Sequence, residues 1–330
     1  MAEYLTLADY YQQAPNNLVK GIVQQLRWKS TLFDSLNFVT TGTLAVKNVR
    51  DSSADDDDLL WVDIGEELKS GGTVKPEEVQ SRAFKFGRYI DTPKELVQDK
   101  TPKLYDPRQR DTERTIDKMI RQFSDVLINN TNAVNPKAPL GLRQWIKTYE
   151  PAQECIAVAN GLDLRPSESS YAANNILFWR ALDKLYDMVD GGATHILCND
   201  QFIRCAKGLQ RESGMLSTTQ DALGREIVSY GGMKFVDVGR KSKATGARII
   251  KTYEDVNGDD GTENSDVYTS IYAIRMDPSH FQPWQMAPLE AKDWGILPGT
   301  GYYRTEVDWK IGYMITDSMS VARMYGFRME

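Results

Sequence analysis

The sequence predicts an α+β fold with long elements and with extensions that reach outward from the main body. Three observations lead to this prediction: a long amphipathic helix at residues 106–131, many apolar and β-branched runs in the second half, and polar strands across residues 37–90. These polar strands hold too little apolar surface to build a core, and a lone hairpin is only marginally stable in water. The combination is typical of a protein that binds copies of itself.

Composition allows real cores but argues against broad contact with nucleic acid. The 330 residues are 41% hydrophobic and include 7 Trp, 16 Tyr and 10 Phe, while 26% are charged, so wholesale disorder is not expected. The net charge is −6. Nonspecific wrapping of nucleic acid needs clustered Lys and Arg that face phosphates. An acidic balance therefore favours other functions.

Targeting and redox features are sparse. The start, MAEYLTLADYYQQAP, has no basic stretch followed by an apolar run, so we expect no secretory signal. No apolar run approaches the roughly 20 residues that span a bilayer, so no membrane contact is expected. Cys155, Cys198 and Cys205 are too scattered for a disulfide framework, and we expect reduced thiols in a cytosol-type compartment.

Residues 1–36 are predicted to form an arm with one short helix. Asn16 or Asn17 could cap this helix, and Leu18, Ile22 and Leu26 follow at near-helical spacing. Such an arm buries little surface by itself, so we expect it to lie on another part of the assembly.

Residues 37–90 are predicted to form an extended β-loop. Leu44, Val46 and Val49 suggest a first strand, residues 60–64 alternate in a second, and residues 79–86 alternate again. The acidic run 55–58 and the turn at residues 70–72 interrupt them. The run 55–58 could hold cations or a basic patch of another subunit, although a solvated loop is the favoured interpretation.

The helix at 106–131 has the strongest local signals. Asp106 is a good N-cap, and Pro107 suits the first helical position. An apolar stripe follows at helical spacing, formed by Ile116, Met119, Ile120, Phe123 and Leu127. Because the stripe is narrow, we expect the helix to lie along one face of a sheet.

The remaining chain alternates between helices and strands. Helices are predicted at 171–189 and 202–209, and a buried strand at 194–199. Strands at 227–230 and 233–238 flank Gly231-Gly232, a hairpin signal. Further strands are predicted at 247–253, 267–276 and 307–315, and residues 321–327 are expected to continue the last strand or pair with it.

One stretch resembles a calcium loop. In DVNGDDGTENSD, residues 255–266, Asp255, Asn257 and Asp259 are two apart, like the first ligands of an EF-hand. However, Asp260 stands where that motif needs Gly, Asp266 stands where it needs Glu, and the flanks read as strands rather than helices. These three residues are weak metal candidates, and a polar tip between two antiparallel strands is the favoured interpretation.

The other reactive residues form no recognisable catalytic group. His195 and Cys198 are three apart on a predicted strand, so their side chains project to opposite faces, and Cys198 reads as a core residue. His280 stands alone in sequence. No phosphate-binding glycine loop and no nucleophile elbow occurs. We therefore predict no enzymatic activity and no cofactor.

The order of elements resembles the major capsid proteins of tailed phages of the Hong Kong ninety-seven type. Four segments carry the likeness: LWVDIGE at 60–66, FGRYIDTPKELV at 86–97, PLGL at 139–142 after the long helix, and the tail from GYYR at 301 to VAR at 323. The resemblance covers most of the chain, through element order and short motifs.

This resemblance implies a domain organisation. Residues 1–36 would be the N-terminal arm, residues 37–90 the extended β-loop, and residues 91–159 a peripheral domain with the spine helix 106–131. Residues 160–300 would form the axial domain, and residues 301–330 closing strands that return to the peripheral domain. In such proteins the arm and the β-loop reach over neighbouring subunits.

The resemblance also implies partners and location. The chain would assemble with copies of itself in pentamers and hexamers of an icosahedral shell that encloses double-stranded DNA without reading its sequence. Because the arm is too short for a large scaffold domain, a separate scaffolding protein is expected, together with a portal and a possible decoration protein. The protein would reside in the virion, and in the host cytoplasm during assembly.

Two alternatives stay open: an encapsulin-type compartment that shares this fold but encloses enzyme cargo, and a calcium-dependent binding protein that uses the 255–266 loop. Within the shell hypothesis, the acidic run on the β-loop is expected to face basic residues on a neighbouring spine helix. The candidate interface residues are Asp55, Asp56, Asp57, Asp58, Trp61, Arg110 and Arg114.

Overall fold

The computed structural model describes residues 3–13, 17–50, 64, 77–99, 105–168, 170–213, 218–220, 223–261 and 267–329. Within these residues the strands form a five-stranded sheet, an eight-stranded sheet and a two-stranded ribbon. Helices cover both sheets. The α+β class predicted from the sequence is confirmed.

The five-stranded sheet combines strands from the N-terminal third of the chain with two long strands from its C-terminal part. Its strands, in spatial order, are β1 (Glu3–Thr6), β2 (Asn37–Thr40), β13 (Phe281–Ile296), β14 (Tyr302–Ile315) and β5 (Phe84–Pro93). Neighbours are antiparallel except β2 and β13. The alternation of residues 307–315 matches this sheet, since Val307, Trp309 and Ile311 are buried on one face.

The long helix α5 (Pro107–Asn129) lies against this sheet, as the narrow apolar stripe predicted. Its N-cap is Asp106, whose side chain accepts a hydrogen bond from the Arg108 backbone N–H. Arm helices α1 (Leu7–Gln13), α2 (Asn17–Lys29) and α3 (Thr31–Ser35) pack beside it. The arm helix α2 thus buries Ile22 and Leu26 on its own chain.

The eight-stranded sheet has its own core. Seven strands run in the order β6 (Glu154–Ile156), β15 (Val321–Arg328), β12 (Tyr268–Ile274), β8 (His195–Cys198), β11 (Met233–Asp237), β10 (Glu226–Tyr230) and β9 (Thr218–Gln220), and β7 (Leu162–Asp163) also pairs with β15. Helices α7 (Tyr171–Asp187) and α8 (Asp200–Ser213) cover it. Phe178, Phe202 and Phe327 interlock in this core.

The remaining elements are short. They are the ribbon strands β3 (Ala45–Arg50) and β4 (Glu77–Arg82), helices α4 (Lys94–Gln98) and α6 (Leu142–Tyr149), and single 3-10 turns at Pro151–Gln153 and Ser318–Ser320. No described helix has the combination of length and apolar character that crossing a bilayer would require.

The strand predicted at 247–253 is wrong. The backbone there forms only an isolated bridge between Arg240 and Arg248. The Asn129 side chain donates to the Ile249 carbonyl at 2.9 Å, and the Thr269 hydroxyl donates to the Lys251 carbonyl at 2.7 Å. Side chains therefore occupy backbone carbonyls that pairing with another strand would require. Ile249 is buried although it belongs to no strand.

The two closing strands belong to different sheets. Residues 321–327 neither continue β14 nor pair with it, because the chain crosses at residues 316–320 into the eight-stranded sheet, where β15 pairs with β12. The partners of β14 are β5 and β13, and β13 is a strand that the sequence did not predict. Pro283, Pro288 and Gly295 interrupt the alternation of β13, and its register with β14 shifts three times.

Candidate assembly surfaces

The ribbon formed by β3 and β4 is anchored at its base. Val46 and Ala83 pack against a small cluster that contains Trp284 and Met314 of the five-stranded sheet. Ser81 ties the two together, since its hydroxyl donates to the Tyr313 carbonyl at 2.8 Å and accepts from the Trp284 indole N–H at 3.0 Å. Apolar contacts and hydrogen bonds therefore hold the base of the ribbon on its own chain.

Beyond the base, the described ribbon has little support. Its two strands pair only with each other among the described residues. Val49 is 55% exposed there, and Leu44, at the foot of the ribbon, is 63% exposed. Lys47 and Glu78 form an ion pair across the strands in solvent, and such exposed pairs contribute at most about 1 kcal/mol. Open strand edges with exposed apolar side chains are surfaces that another chain can cover.

The predicted interface residues are divided between this ribbon and the long helix. Asp55, Asp56, Asp57, Asp58 and Trp61 lie outside the described residues. On α5, Arg110 and Arg114 are both exposed, and the Arg110 guanidinium lies 4.3 Å from the ring centre of Tyr105. The pairing of the acidic run with these two arginines stays a prediction.

The candidate calcium residues lie in a turn that protein groups organise. One Asp255 carboxylate oxygen accepts from the backbone N–H groups of Asn257 at 3.0 Å and of Asp259 at 2.8 Å. The Asp259 carboxylate accepts from the Lys147 ammonium at 2.5 Å. Asn257 is exposed, away from these contacts. The turn thus uses a lysine and backbone amides to neutralise the charges that a cation would otherwise neutralise.

A charge network continues from this turn into the interior. Asp260 accepts from Arg143 at 2.5 Å and from Lys251 at 2.8 Å. Burial alone would raise the pKa of Asp260, but the hydrogen bonds from Lys251 and Arg143 outweigh it and lower the pKa to about 2. Behind this pair, Arg143 and Arg323 flank the buried carboxylate of Glu254.

The lowered pKa of Asp260 predicts a loss of stability in acid. A carboxyl group whose folded-state pKa is depressed stabilises the fold above its unfolded pKa of about 3.9, and this contribution disappears as the pH falls through the folded value of about 2. Because the side chain is 55% exposed, we expect a contribution of about 1 kcal/mol or less. Asp260→Asn should flatten the fall of the unfolding free energy between pH 4 and pH 2, measured by urea titration of the dilute subunit.

The matched control for this experiment is Glu290→Gln. Glu290 is an exposed carboxylate on β13 that no described basic side chain contacts within ion-pair distance. This variant should keep the acid dependence of the wild type. Equal slopes for the wild type and Asp260→Asn would contradict the assignment.

His195 and Cys198 occupy separate, shielded environments, as predicted for a structural strand. Cys198 is fully buried with Ile196 in the core of the eight-stranded sheet, and burial raises the pKa of its thiol well above the ordinary value. Burial likewise lowers the pKa of His195 to about 4. The His195 Nδ1 atom lies 2.9 Å from the Thr194 hydroxyl. Neither side chain is poised for nucleophilic chemistry.

His280 stands alone in sequence, but the fold brings it close to two carboxylates. Its Nε2 atom lies 3.6 Å from a carboxylate oxygen of Asp190 and 3.6 Å from one of Asp317. These residues are 90 and 37 positions away in sequence, and no local motif connects them. Each of the three follows a predicted helix or strand, but that position alone does not indicate that their side chains meet.

Comparisons with known proteins find the fold but no close relative. No protein-family model matches the chain, and no curated protein matches it. Among solved structures, the holo-SrpI encapsulin complex from Synechococcus elongatus matches with a TM-score of 0.57 and 12% identity, over 92% of this chain and 88% of that chain. The capsid of a native GTA particle matches with a TM-score of 0.54 and 12% identity, over 92% and 90%.

Both matches span 92% of this chain. At 12% identity they establish the architecture rather than the sequence family. The chain therefore has the Hong Kong ninety-seven type fold, the architecture of viral capsid and encapsulin shell proteins.

Proposed function

We propose that this chain is the subunit of a closed icosahedral shell, in which each copy is held by contacts with its neighbours. One observation carries the proposal. Past its anchored base, the β3–β4 ribbon exposes Val49 and leaves both strand edges without a described partner, and Leu44 at the foot of the ribbon is exposed as well. In a shell, a neighbouring copy would cover this surface and would supply the support that an isolated hairpin lacks.

The fold suggests how the subunit is divided. We propose that the five-stranded sheet and α5 form the peripheral domain, and that the eight-stranded sheet with α7 and α8 forms the axial domain, which would meet its symmetry mates in pentamers and hexamers. The ribbon would reach neighbouring copies, whereas the arm packs on its own subunit, where α2 buries Ile22 and Leu26. The role of this subunit would be structural, with no catalysis.

For the enclosed content, the leading candidate is double-stranded DNA, in the virion of a tailed phage. A separate scaffolding protein and a portal would assist assembly in the host cytoplasm, and a decoration protein could bind the finished shell. The net charge of −6 suits a container whose wall does not grip the packed genome. The second candidate is an encapsulin-type compartment, which the likeness to the Synechococcus encapsulin favours.

Particle formation tests the shell proposal. The purified protein should elute as capsomers or particles far larger than the 37.4 kDa chain, measured by light scattering and electron microscopy. In a closed assembly every subunit makes many contacts, so contacts that are individually weak together stabilise the particle. A protein that stays monomeric at high concentration, with and without the products of neighbouring genes, would contradict the proposal.

A second experiment distinguishes between the two candidate contents of the shell. Particles produced together with the neighbouring genes can be treated with nuclease and then opened, and their contents analysed. Protected double-stranded DNA supports the phage capsid, whereas a stoichiometric enzyme without DNA supports the encapsulin-type compartment.

A further inference from the structure

Three side chains converge where the chain crosses between the two sheets. Asp190 lies in the turn after α7, His280 in the turn from β12 to β13, and Asp317 in the turn from β14 to β15. The His280 Nε2 atom is 3.6 Å from an oxygen of each carboxylate, and one ligand atom from each of the three residues lies within 4.8 Å of the others. Both crossings between the sheets after β12 therefore pass through this cluster.

The imidazole of His280 lacks a partner among the described residues. The residue is only 8% exposed, and neither ring nitrogen forms a hydrogen bond within the described structure. A buried polar group without a partner destabilises the fold. At 3.6 Å, the two carboxylates are beyond ordinary hydrogen-bond distance. The Nε2 nitrogen thus lies near two carboxylate oxygens but forms a hydrogen bond with neither.

Neighbouring groups hold the Asp317 carboxylate and the Asp190 backbone in place. One Asp317 oxygen accepts from the Met319 backbone N–H at 3.2 Å and from the Ser318 hydroxyl at 3.3 Å, so the other oxygen faces His280. The Asp190 backbone is fixed on both sides, because its N–H donates to the Met319 carbonyl at 3.0 Å and its carbonyl accepts from Arg275 at 2.6 Å. Such outer contacts orient ligands in metal sites.

We propose that Asp190, His280 and Asp317 bind a divalent transition-metal ion of the zinc type. Metal–nitrogen and metal–oxygen bonds of about 2.0–2.2 Å place neighbouring ligand atoms about 3.3 Å apart in a tetrahedron, slightly closer than the 3.6 Å between His280 and each carboxylate. One imidazole and two carboxylates suit Zn²⁺ better than Ca²⁺ or Mg²⁺, which prefer oxygen ligands only. Water would complete the coordination.

The bound ion would act as a clamp on the subunit. It would join the end of α7, which covers the eight-stranded sheet, to the two turns through which the chain enters and leaves β13 and β14. The relative orientation of the two sheets would then depend on the metal. This inference concerns the single subunit, so it stands or falls independently of shell formation.

The test is calorimetric titration of Zn²⁺ into chelator-treated full-length protein. We expect one Zn²⁺ per chain and a rise of the thermal unfolding midpoint on binding. His280→Asn and Asp317→Asn should weaken the affinity by about 100-fold or more, a larger loss than the 10–100-fold known for outer-contact residues, and should remove the rise. Asp190 is exposed, so Asp190→Asn offers a variant that keeps the fold while losing a ligand.

Controls exclude binding elsewhere. His195→Asn removes the other histidine and should leave the affinity unchanged. Burial raises the pKa of Cys155, and that of Cys205 to about 11, which makes these thiols poor ligands near neutral pH. A Ca²⁺ titration tests the 255–261 turn separately. Absence of Zn²⁺ binding by the wild type, or equal affinity in the wild type and Asp190→Asn, would overturn the proposal.

Discussion

Removal of the ribbon should abolish shell assembly and leave the subunit folded. The structure allows a clean excision, because the Ala83 backbone N–H donates to the Leu44 carbonyl at 2.7 Å. Residues 45–82 can therefore be replaced by Asn-Gly, which closes a two-residue hairpin between antiparallel partners. Among the described residues, the two large hydrophobic clusters contain none from the excised segment. We expect a monomer or a small oligomer with native circular dichroism and no particles by electron microscopy.

A single substitution tests the same surface with less disturbance. Val49→Ser removes an exposed apolar side chain from the ribbon, and Val134→Ser removes one that is 79% exposed after α5. If a neighbour covers Val49, Val49→Ser weakens each such contact by about 1–2 kcal/mol of apolar burial. This corresponds to a roughly tenfold lower association constant at every interface. The Val49 variant should assemble at a higher critical concentration than the Val134 variant. Formation of particles by the variant that lacks residues 45–82 would refute the role of the ribbon in assembly.

The elements that the sequence predicts well are those with local signals. Asp106 and Pro107 mark the start of α5, and its stripe needs only helical spacing, so the predicted helix agrees with the observed one within two residues at each end. Gly231 and Gly232 likewise mark the hairpin between β10 and β11, because both adopt positive φ values there. Residues close together in sequence determine this helix start and this hairpin turn, so the sequence alone is enough to predict them.

The features that sequence reasoning missed depend on distant partners. The calcium-like spacing of Asp255, Asn257 and Asp259 is local, but Lys147, which satisfies Asp259, lies on a helix more than a hundred residues earlier. The same holds for His280, whose neighbours come from two other turns. Strand β13 was missed because its pairing with β14 tolerates prolines and shifts of register that no short window reveals.

The second large effect concerns Arg323, a charge inside the eight-stranded sheet. Its side chain is fully buried, pairs with Glu154, lies 3.2 Å from a Glu254 oxygen and donates to the Gly258 carbonyl at 2.6 Å. Burial would lower the pKa of Arg323, but Tyr272, Glu254 and Glu154 outweigh it and raise the pKa, so the group stays charged. The arginine therefore joins β15 to β6 and to the polar turn at 255–261.

Arg323→Met should lower the unfolding free energy by about 3–5 kcal/mol, because it leaves the carboxylate of Glu254 buried beside fewer cations. Burial already raises the pKa of Glu254. A carboxyl group whose folded pKa lies above its unfolded value costs stability as the pH rises, so the loss should be larger at pH 7 than at pH 5. Urea titration at both pH values measures this difference.

Two further variants make the experiment decisive. Arg304→Met breaks an exposed pair with Asp91 and should cost about 1 kcal/mol or less. Adding Glu254→Gln to Arg323→Met removes the buried carboxylate that has lost its partner. The double variant should therefore regain part of the lost unfolding free energy, and most of the extra pH dependence caused by Arg323→Met should disappear. If Arg323→Met costs no more than Arg304→Met, the buried network contributes little to stability, and apolar packing between β6, β12 and β15 must hold that part of the sheet instead.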